Sequence, residues 1–177
     1  LDNHRIQALV TISNFNNPLG SCIPDDGKQA LVKLLKRYQV PLVENDIYGD
    51  IHYRDRRPLT AESFDTEGLV MLCGSFSKTL SPGLRVGWTA AGQYRSAVEW
   101  LKFSASLAVS TLPQQAIASF MSEGGYRKHL DRIRHQYQQR IGGLRRAVIR
   151  HFPADIRVTD PTGGYLLWIE LPETIDA

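Results

Sequence analysis

Apolar and polar positions in this chain come in blocks, and each block predicts an element. Ile6 to Ile12 is an apolar run rich in strand formers that stops at polar Ser13 and Asn14, which predicts a buried parallel strand. Asn16-Asn17-Pro18-Leu19-Gly20 predicts a turn. Pro24-Asp25-Asp26 opens a helix with an acidic first turn, and Ala30, Leu31, Leu34, Leu35 and Tyr38 follow at helical spacing. Val40 to Val43 predicts a second strand that delivers Glu44-Asn45-Asp46-Ile47-Tyr48 at its C-terminal end. Leu69 to Cys73 predicts a third strand and Arg85 to Ala90 a fourth. Helices are expected over Tyr94 to Ser106 and Pro113 to Ser122, with a break at Gly124-Gly125. Tyr126 to Phe152 then reads as one long helix with the apolar stripe Leu130, Ile133, Tyr137, Ile141, Leu144 and Val148. Gly142-Gly143 within it marks a bend or a close contact. Beyond Pro153, Val158 and the run Pro161 to Leu171 predict short strands around a Gly-Gly turn.

Strand, loop, helix and strand in succession predict an α/β fold, an open and mostly parallel sheet with helices on both faces. Ligands of such sheets bind outside the carboxyl ends of the strands. The polar clusters at 14–20, 44–48 and 74–85 follow strand ends, so they are expected to face one site. Residues 1–125 read as part of a large domain, 126–152 as a long interdomain helix, and 153–177 as the start of a small α+β domain.

Composition narrows the class. Among the 177 residues, 42% hydrophobic and 22% charged content is that of a globular domain. No apolar run approaches the roughly 20 residues of a membrane span. Leu1-Asp2-Asn3-His4-Arg5 has neither the basic nor the apolar part of a leader. Cys22 and Cys73 are too few for a disulfide framework, which points to a reducing, cytoplasmic setting. A net charge of +3 does not mark this segment for nucleic acid, and the basic stretch Arg127 to Arg150 reads as a solvated helix face. No metal site is expected.

Chemistry concentrates in Gly74-Ser75-Phe76-Ser77-Lys78-Thr79-Leu80-Ser81-Pro82-Gly83-Leu84-Arg85-Val86-Gly87-Trp88. A lysine flanked by hydroxyls, with an arginine seven positions on, suits an amine that forms an imine with an aldehyde cofactor. Such an amine reacts only when deprotonated, so a lowered pKa is expected at Lys78. Pyridoxal phosphate also needs its phosphate neutralised. Arg85 offers a fixed cation, and Ser75 and Ser77 offer hydroxyl donors.

The form Ser-x-Ser-Lys followed by Pro-Gly-x-Arg-x-Gly resembles the lysine segment of fold-type I pyridoxal-phosphate enzymes, the aspartate-aminotransferase superfamily. The resemblance implies that Lys78 carries the cofactor as an imine, that Ser75 and Arg85 hold its phosphate and that Ser77 assists. Asn17-Pro18-Leu19-Gly20 resembles the superfamily's Asn-Pro-x-Gly motif, which places Asn17 on the cofactor's phenolic oxygen. Tyr48 matches the tyrosine that reaches the same oxygen. In much of the superfamily the aspartate that protonates the pyridine nitrogen lies three residues before that tyrosine. Here that position is Asn45. A two-residue gap points to Asp46, which alone of the two can pair with a pyridinium. Pro161 to Trp168 resembles the Pro-x-Gly-Gly segment that opens the small domain. The resemblance also implies a fold that continues on both sides of this stretch. A phosphate-binding turn and a ring-stacking aromatic are expected upstream, and an arginine for the substrate carboxylate downstream.

Four stretches resemble a subgroup, the MocR regulators, in which a GntR-type winged helix-turn-helix precedes an aminotransferase-like domain. They are Asn14 to Gly20, Gly74 to Gly83, Ala90-Ala91-Gly92-Gln93-Tyr94 and Phe152-Pro153-Ala154-Asp155. This likeness implies a homodimer that senses cofactor or an amino compound and contacts DNA through an N-terminal domain outside this stretch. The alternative is a free-standing aminotransferase acting on an amino acid and a 2-oxo acid. There Lys78 doubles as the general base, with Asp46 and Tyr48 beside it.

Overall fold

The computed structural model describes residues 6–173. The run Leu1 to Arg5, read above for a leader, lies outside the described residues. Four strands form one sheet in chain order: β1 (Leu9–Thr11), β2 (Leu42–Asn45), β3 (Val70–Ser75) and β4 (Gly87–Ala90). The first three are parallel, with Leu9 opposite Leu42 and Leu42 opposite Val70. β4 runs antiparallel to β3, with Ser75 opposite Gly87. The link between them, residues 76–86, is too short for a parallel crossover, so the chain doubles back. The sheet is therefore open and mostly parallel, as the pattern predicts.

Helix α1 (Asp25–Tyr38) supplies the crossover from β1 to β2. Asp25 and Asp26 in its first turn and Lys36 and Arg37 in its last complement the helix dipole. Its Val32 and Leu35 pack against Val40, Leu42, Ala61 and Val70, with Leu9, Leu31 and Phe64 at the margin. Each such burial contributes about 1.5–3 kcal/mol. The buried face of α1 runs Lys28, Val32, Leu35, one step round the helix from the predicted stripe. Ala30, Leu34 and Tyr38 are exposed. α1 covers one face of the sheet, while on the other face Val10 stays 69% exposed.

Three further helices follow: α2 (Arg95–Ser106), α3 (Thr111–Ser122) and α4 (Gly125–His151). Leu130, Ile133, Ile141 and Val148 of α4 are buried, but Leu144 sits at the edge of the stripe and is exposed. The helix runs unbroken through Gly142-Gly143, where an added Cβ would meet only the Arg146 side chain. After α4, a two-stranded ribbon of β5 (Arg157–Val158) and β6 (Ile169–Glu170) stands apart from the main sheet. Between its strands the chain returns to the large sheet's side. There Gly163 bridges to His52, and Gly164 N–H donates to Ile51 O at 2.7 Å. A Cβ on Gly163 would overlap the Phe15 ring and the Ile51 carbonyl, so only glycine lets this strap lie so close. Among the described residues no helix is long and apolar enough to cross a membrane.

Candidate functional site

Parallel strands deliver their following residues to one end of the sheet, and here three polar segments meet there. Asn14 follows β1, Asp46 follows β2, and Ser75 to Lys78 lead out of β3. Asp46 N–H donates to Cys73 O at 2.9 Å, and Asn14 Nδ2 donates to Asp46 Oδ1 at 2.9 Å.

The lysine loop is built on its own hydroxyls. Ser77 N–H donates to Ser75 Oγ at 3.1 Å, and the two hydroxyls lie 3.0 Å apart. Phe76 N–H donates to Val86 O at 3.1 Å, which folds Arg85 and Val86 back beside Ser75. Arg85 sits in the left-handed region at φ 51°. Its guanidinium is exposed and donates to Pro82 O at 3.3 Å. Helix α4 holds the loop from behind. His129 Nε2 lies 2.7 Å from Thr79 O, and the Tyr126 hydroxyl lies 3.1 Å from Thr79 Oγ1. The Tyr126 ring meets Phe76 edge-on at 5.8 Å.

Lys78 points its amine at phenols. Its hydrogen bond to Tyr165, and the nearby Tyr165 and Tyr48 phenols, hold its pKa above the ordinary lysine value. The sequence led to the opposite expectation. A depressed amine needs burial or a neighbouring cation, and this amine is little buried and faces oxygen acceptors instead. Burial pushes the Tyr165 phenol up, while its bond to Lys78 pulls the other way. The Tyr165 ring stands edge-on to Tyr48 at 5.6 Å and lies 5.3 Å from Tyr137 of α4.

The polar side chains after β2 divide between two environments. Asp46 is buried, and Asn14 and the Arg57 guanidinium both donate to its carboxylate. Burial raises its pKa, and Arg57 and Asn14 oppose that rise. Arg57 also donates to Asp50 at 2.7 Å. Asn14 is held from the other side by Lys28, 1% exposed, whose Nζ donates to Asn14 Oδ1 at 2.8 Å and to Leu59 O at 2.6 Å. Asn45 lies outside this network, with Oδ1 accepting from Ile47 N–H at 3.3 Å.

Of the residues expected from sequence, Lys78 and Tyr48 are brought together, and so are Ser75 and Ser77. Asn17 is exposed in its turn, next to a cis Asn17–Pro18 bond. That turn packs on the strap, because a Cβ on Gly20 would lie 3.1 Å from Pro161 and 3.4 Å from Leu166 O. Neither Asn17 nor Arg85 hydrogen-bonds to Lys78 or Tyr48 among the described residues. The sequence reading missed Tyr165, Asn14, Lys28 and Arg57. Tyr165 follows the predicted Gly-Gly turn, which was a usable signal. Nothing in the pattern marked Lys28, which read as an ordinary helix charge.

The aminotransferase class I and II family model matches residues 1–176. The chain belongs to this family. Within the aminotransferase class I and II family it is 40% identical over 176 residues to the HTH-type transcriptional regulator YjiR of Escherichia coli, covering 99% of this chain and 37% of that protein. It is 34% identical to aromatic-amino-acid aminotransferase 1 of Thermococcus litoralis, covering 97% of this chain and 42% of the enzyme. Its structure superposes with a TM-score of 0.91 on LysN, the alpha-aminoadipate aminotransferase of Thermus thermophilus, solved with N-(5'-phosphopyridoxyl)-L-leucine. That match has 29% identity and covers 99% of this chain and 46% of LysN. The chain thus spans less than half the length of these relatives.

Proposed function

We propose that this chain is the pyridoxal-phosphate-binding region of a MocR-type transcription regulator, whose aminotransferase-like domain senses the cofactor or an amino compound that reacts with it. The observation that carries the reading is the placement of Lys78. Its amine meets Tyr165 and Tyr48 at the carboxyl ends of parallel strands, on a loop that also holds Ser75, Ser77 and Arg85. The donor set fits the cofactor. Arg85 is an exposed cation on the same loop as two hydroxyls, which suits a phosphate. Tyr48 is a phenol beside the amine, and Asn17 is an exposed amide on the adjoining turn, which together suit a phenolic oxygen.

When bound, the cofactor supplies an aldehyde for amines and an electron-withdrawing ring. The chain's residues do the rest. Lys78 offers the nitrogen nucleophile, and the Tyr165 phenol oxygen accepts a hydrogen bond from it with Tyr48 nearby. Helix α4 keeps the loop in place through Tyr126 and His129.

Similarity to YjiR and to a second HTH-type regulator, YdcR of Escherichia coli at 36% identity, favours the regulator. Control of DNA binding then lies in a part of the whole protein beyond this stretch. A homodimer is part of this proposal, as the likeness to the MocR regulators implies. A free-standing aminotransferase is the second reading, and the match to LysN supports it.

The test is DNA binding by the full-length protein, measured by fluorescence anisotropy with and without pyridoxal phosphate. The expected result is a cofactor-dependent shift in affinity that Lys78→Ala removes. Rapid transamination with no effect on any promoter fragment would overturn the regulator in favour of the enzyme.

A further inference from the structure

β2 hands over three consecutive polar residues, Glu44, Asn45 and Asp46, and strand alternation sends the middle one the opposite way from its neighbours. Glu44 turns to the α1 side with Leu42 and is fully buried. Its carboxylate accepts from the Ser13 hydroxyl, from Ala61 N–H at 2.8 Å and from Glu62 N–H at 2.9 Å. Asp46 keeps the same side. One of its oxygens is taken by Asn14 and the other by Arg57, and its side chain is 1% exposed. Lys28 and Asp50 close the network at its two ends. Both carboxylates are therefore consumed in holding 13–14 and 57–62 onto the strand.

Asn45 is the remaining polar group at the end of β2. It stands opposite Cys73, two residues before Ser75 on the strand that leads to Lys78. Its environment sets the amide's orientation. The Ile47 N–H needs an acceptor, so Oδ1 faces it, and Nδ2 is left without a partner among the described residues. The half-buried side chain thus presents an unpaired N–H donor and no charge.

We propose that Asn45, rather than Asp46, meets the pyridine nitrogen of bound pyridoxal phosphate, and that it donates to an unprotonated ring nitrogen. This rests on the cofactor reading above. An unprotonated pyridine offers one lone pair, which an amide N–H satisfies. A pyridinium has no lone pair to accept that N–H, and a neutral amide gives its positive charge no counter-ion. A neutral ring draws electrons less strongly than a pyridinium. Such a site binds amines at the aldehyde while slowing the proton chemistry that follows, which suits a sensor better than a fast catalyst.

The experiment loads the full-length protein with pyridoxal phosphate enriched in nitrogen-15 at the ring and reads the ring-nitrogen chemical shift by NMR. The expected wild-type resonance is that of an unprotonated pyridine. Asn45→Asp should move it to the protonated position, and Asp46→Asn, if it folds, should leave it where it was. Asn45→Ala should weaken cofactor retention by roughly tenfold, the loss of one hydrogen bond. A protonated nitrogen in the wild type, or an Asn45→Asp spectrum that does not move, overturns the assignment while leaving cofactor binding intact. Failure of the wild type to bind the cofactor at all would instead bring down the parent reading, and this one with it.

Discussion

Replacing Lys28 with methionine tests whether a charge that reads as surface decoration holds the site together. The ammonium is 1% exposed and makes a buried hydrogen bond to Asn14 Oδ1 at 2.8 Å and a partly buried one to Leu59 O at 2.6 Å. Its ion pair with Asp25, at 3.6 Å, is to a partner that is 58% exposed, so it adds little. Methionine keeps the packed stem but leaves Asn14 Oδ1 without a donor, while Leu59 O still accepts from Asn14 Nδ2 at 3.1 Å. A buried acceptor so stranded costs about 1–3 kcal/mol. Relief from desolvating the ammonium returns part of that, so the net loss is about 1–2 kcal/mol. For a cooperative unit of this stretch's 177 residues 1 kcal/mol moves Tm by about 2–4 °C. The expected drop is therefore about 2–8 °C in the transition that this stretch dominates, followed by far-UV circular dichroism in the full-length protein. Asn14 would also be freed to swing away from Asp46. An unchanged or raised Tm would refute the reasoning, because it would mean that the Asn14 oxygen finds another partner at no cost.

Other outcomes follow from single contacts. Tyr53 donates to Gly164 O, and burial raises its phenol from 10.0 to about 12. Its folded pKa exceeds the unfolded one, so the stability it adds is complete below pH 10.0 and is lost as pH climbs toward about 12. That gap is at most about 2.7 kcal/mol, and solvent screening of the partly exposed ring cuts it to about 1–2 kcal/mol. Urea melts across this range should show the loss in wild type and not in Tyr53→Phe. Gly163→Ala should cost about 1–3 kcal/mol, because the added methyl has no room between Phe15 and the Ile51 carbonyl; an unchanged urea midpoint would contradict the tight fit of the strap. Tyr165→Phe removes the main acceptor of the Lys78 amine, so the amine's pKa should fall toward the ordinary value. The pH dependence of Lys78 acylation, read by mass spectrometry in the cofactor-free protein, would move down; no movement would assign the raised pKa to another group.

The α/β frame was legible in the chain because its signals are local. Apolar runs near 9–11, 42–45 and 70–75 become parallel strands, and the acidic turn at Asp25-Asp26 does open a helix. The lysine loop was legible for the same reason, since Ser75, Ser77, Lys78 and Arg85 are neighbours in sequence and stay neighbours in space. Facing directions were less secure. Leu34 and Leu144 fit their helical stripes yet point to solvent, because periodicity states which residues share a face and not where a neighbouring element ends.

What the sequence alone determined was a set of candidate polar groups and the strands that carry them. Only the tertiary structure decided how those groups are used. It buried Lys28 through contacts 14 and 31 residues away, and it brought Tyr165 from the far strap to the Lys78 amine. It also committed Asp46 to Arg57 and Asn14 while leaving the Asn45 amide open. The physical reason is that hydrogen-bond partners and burial depend on which distant segments meet at one sheet edge, and local spacing along the chain carries no record of that meeting.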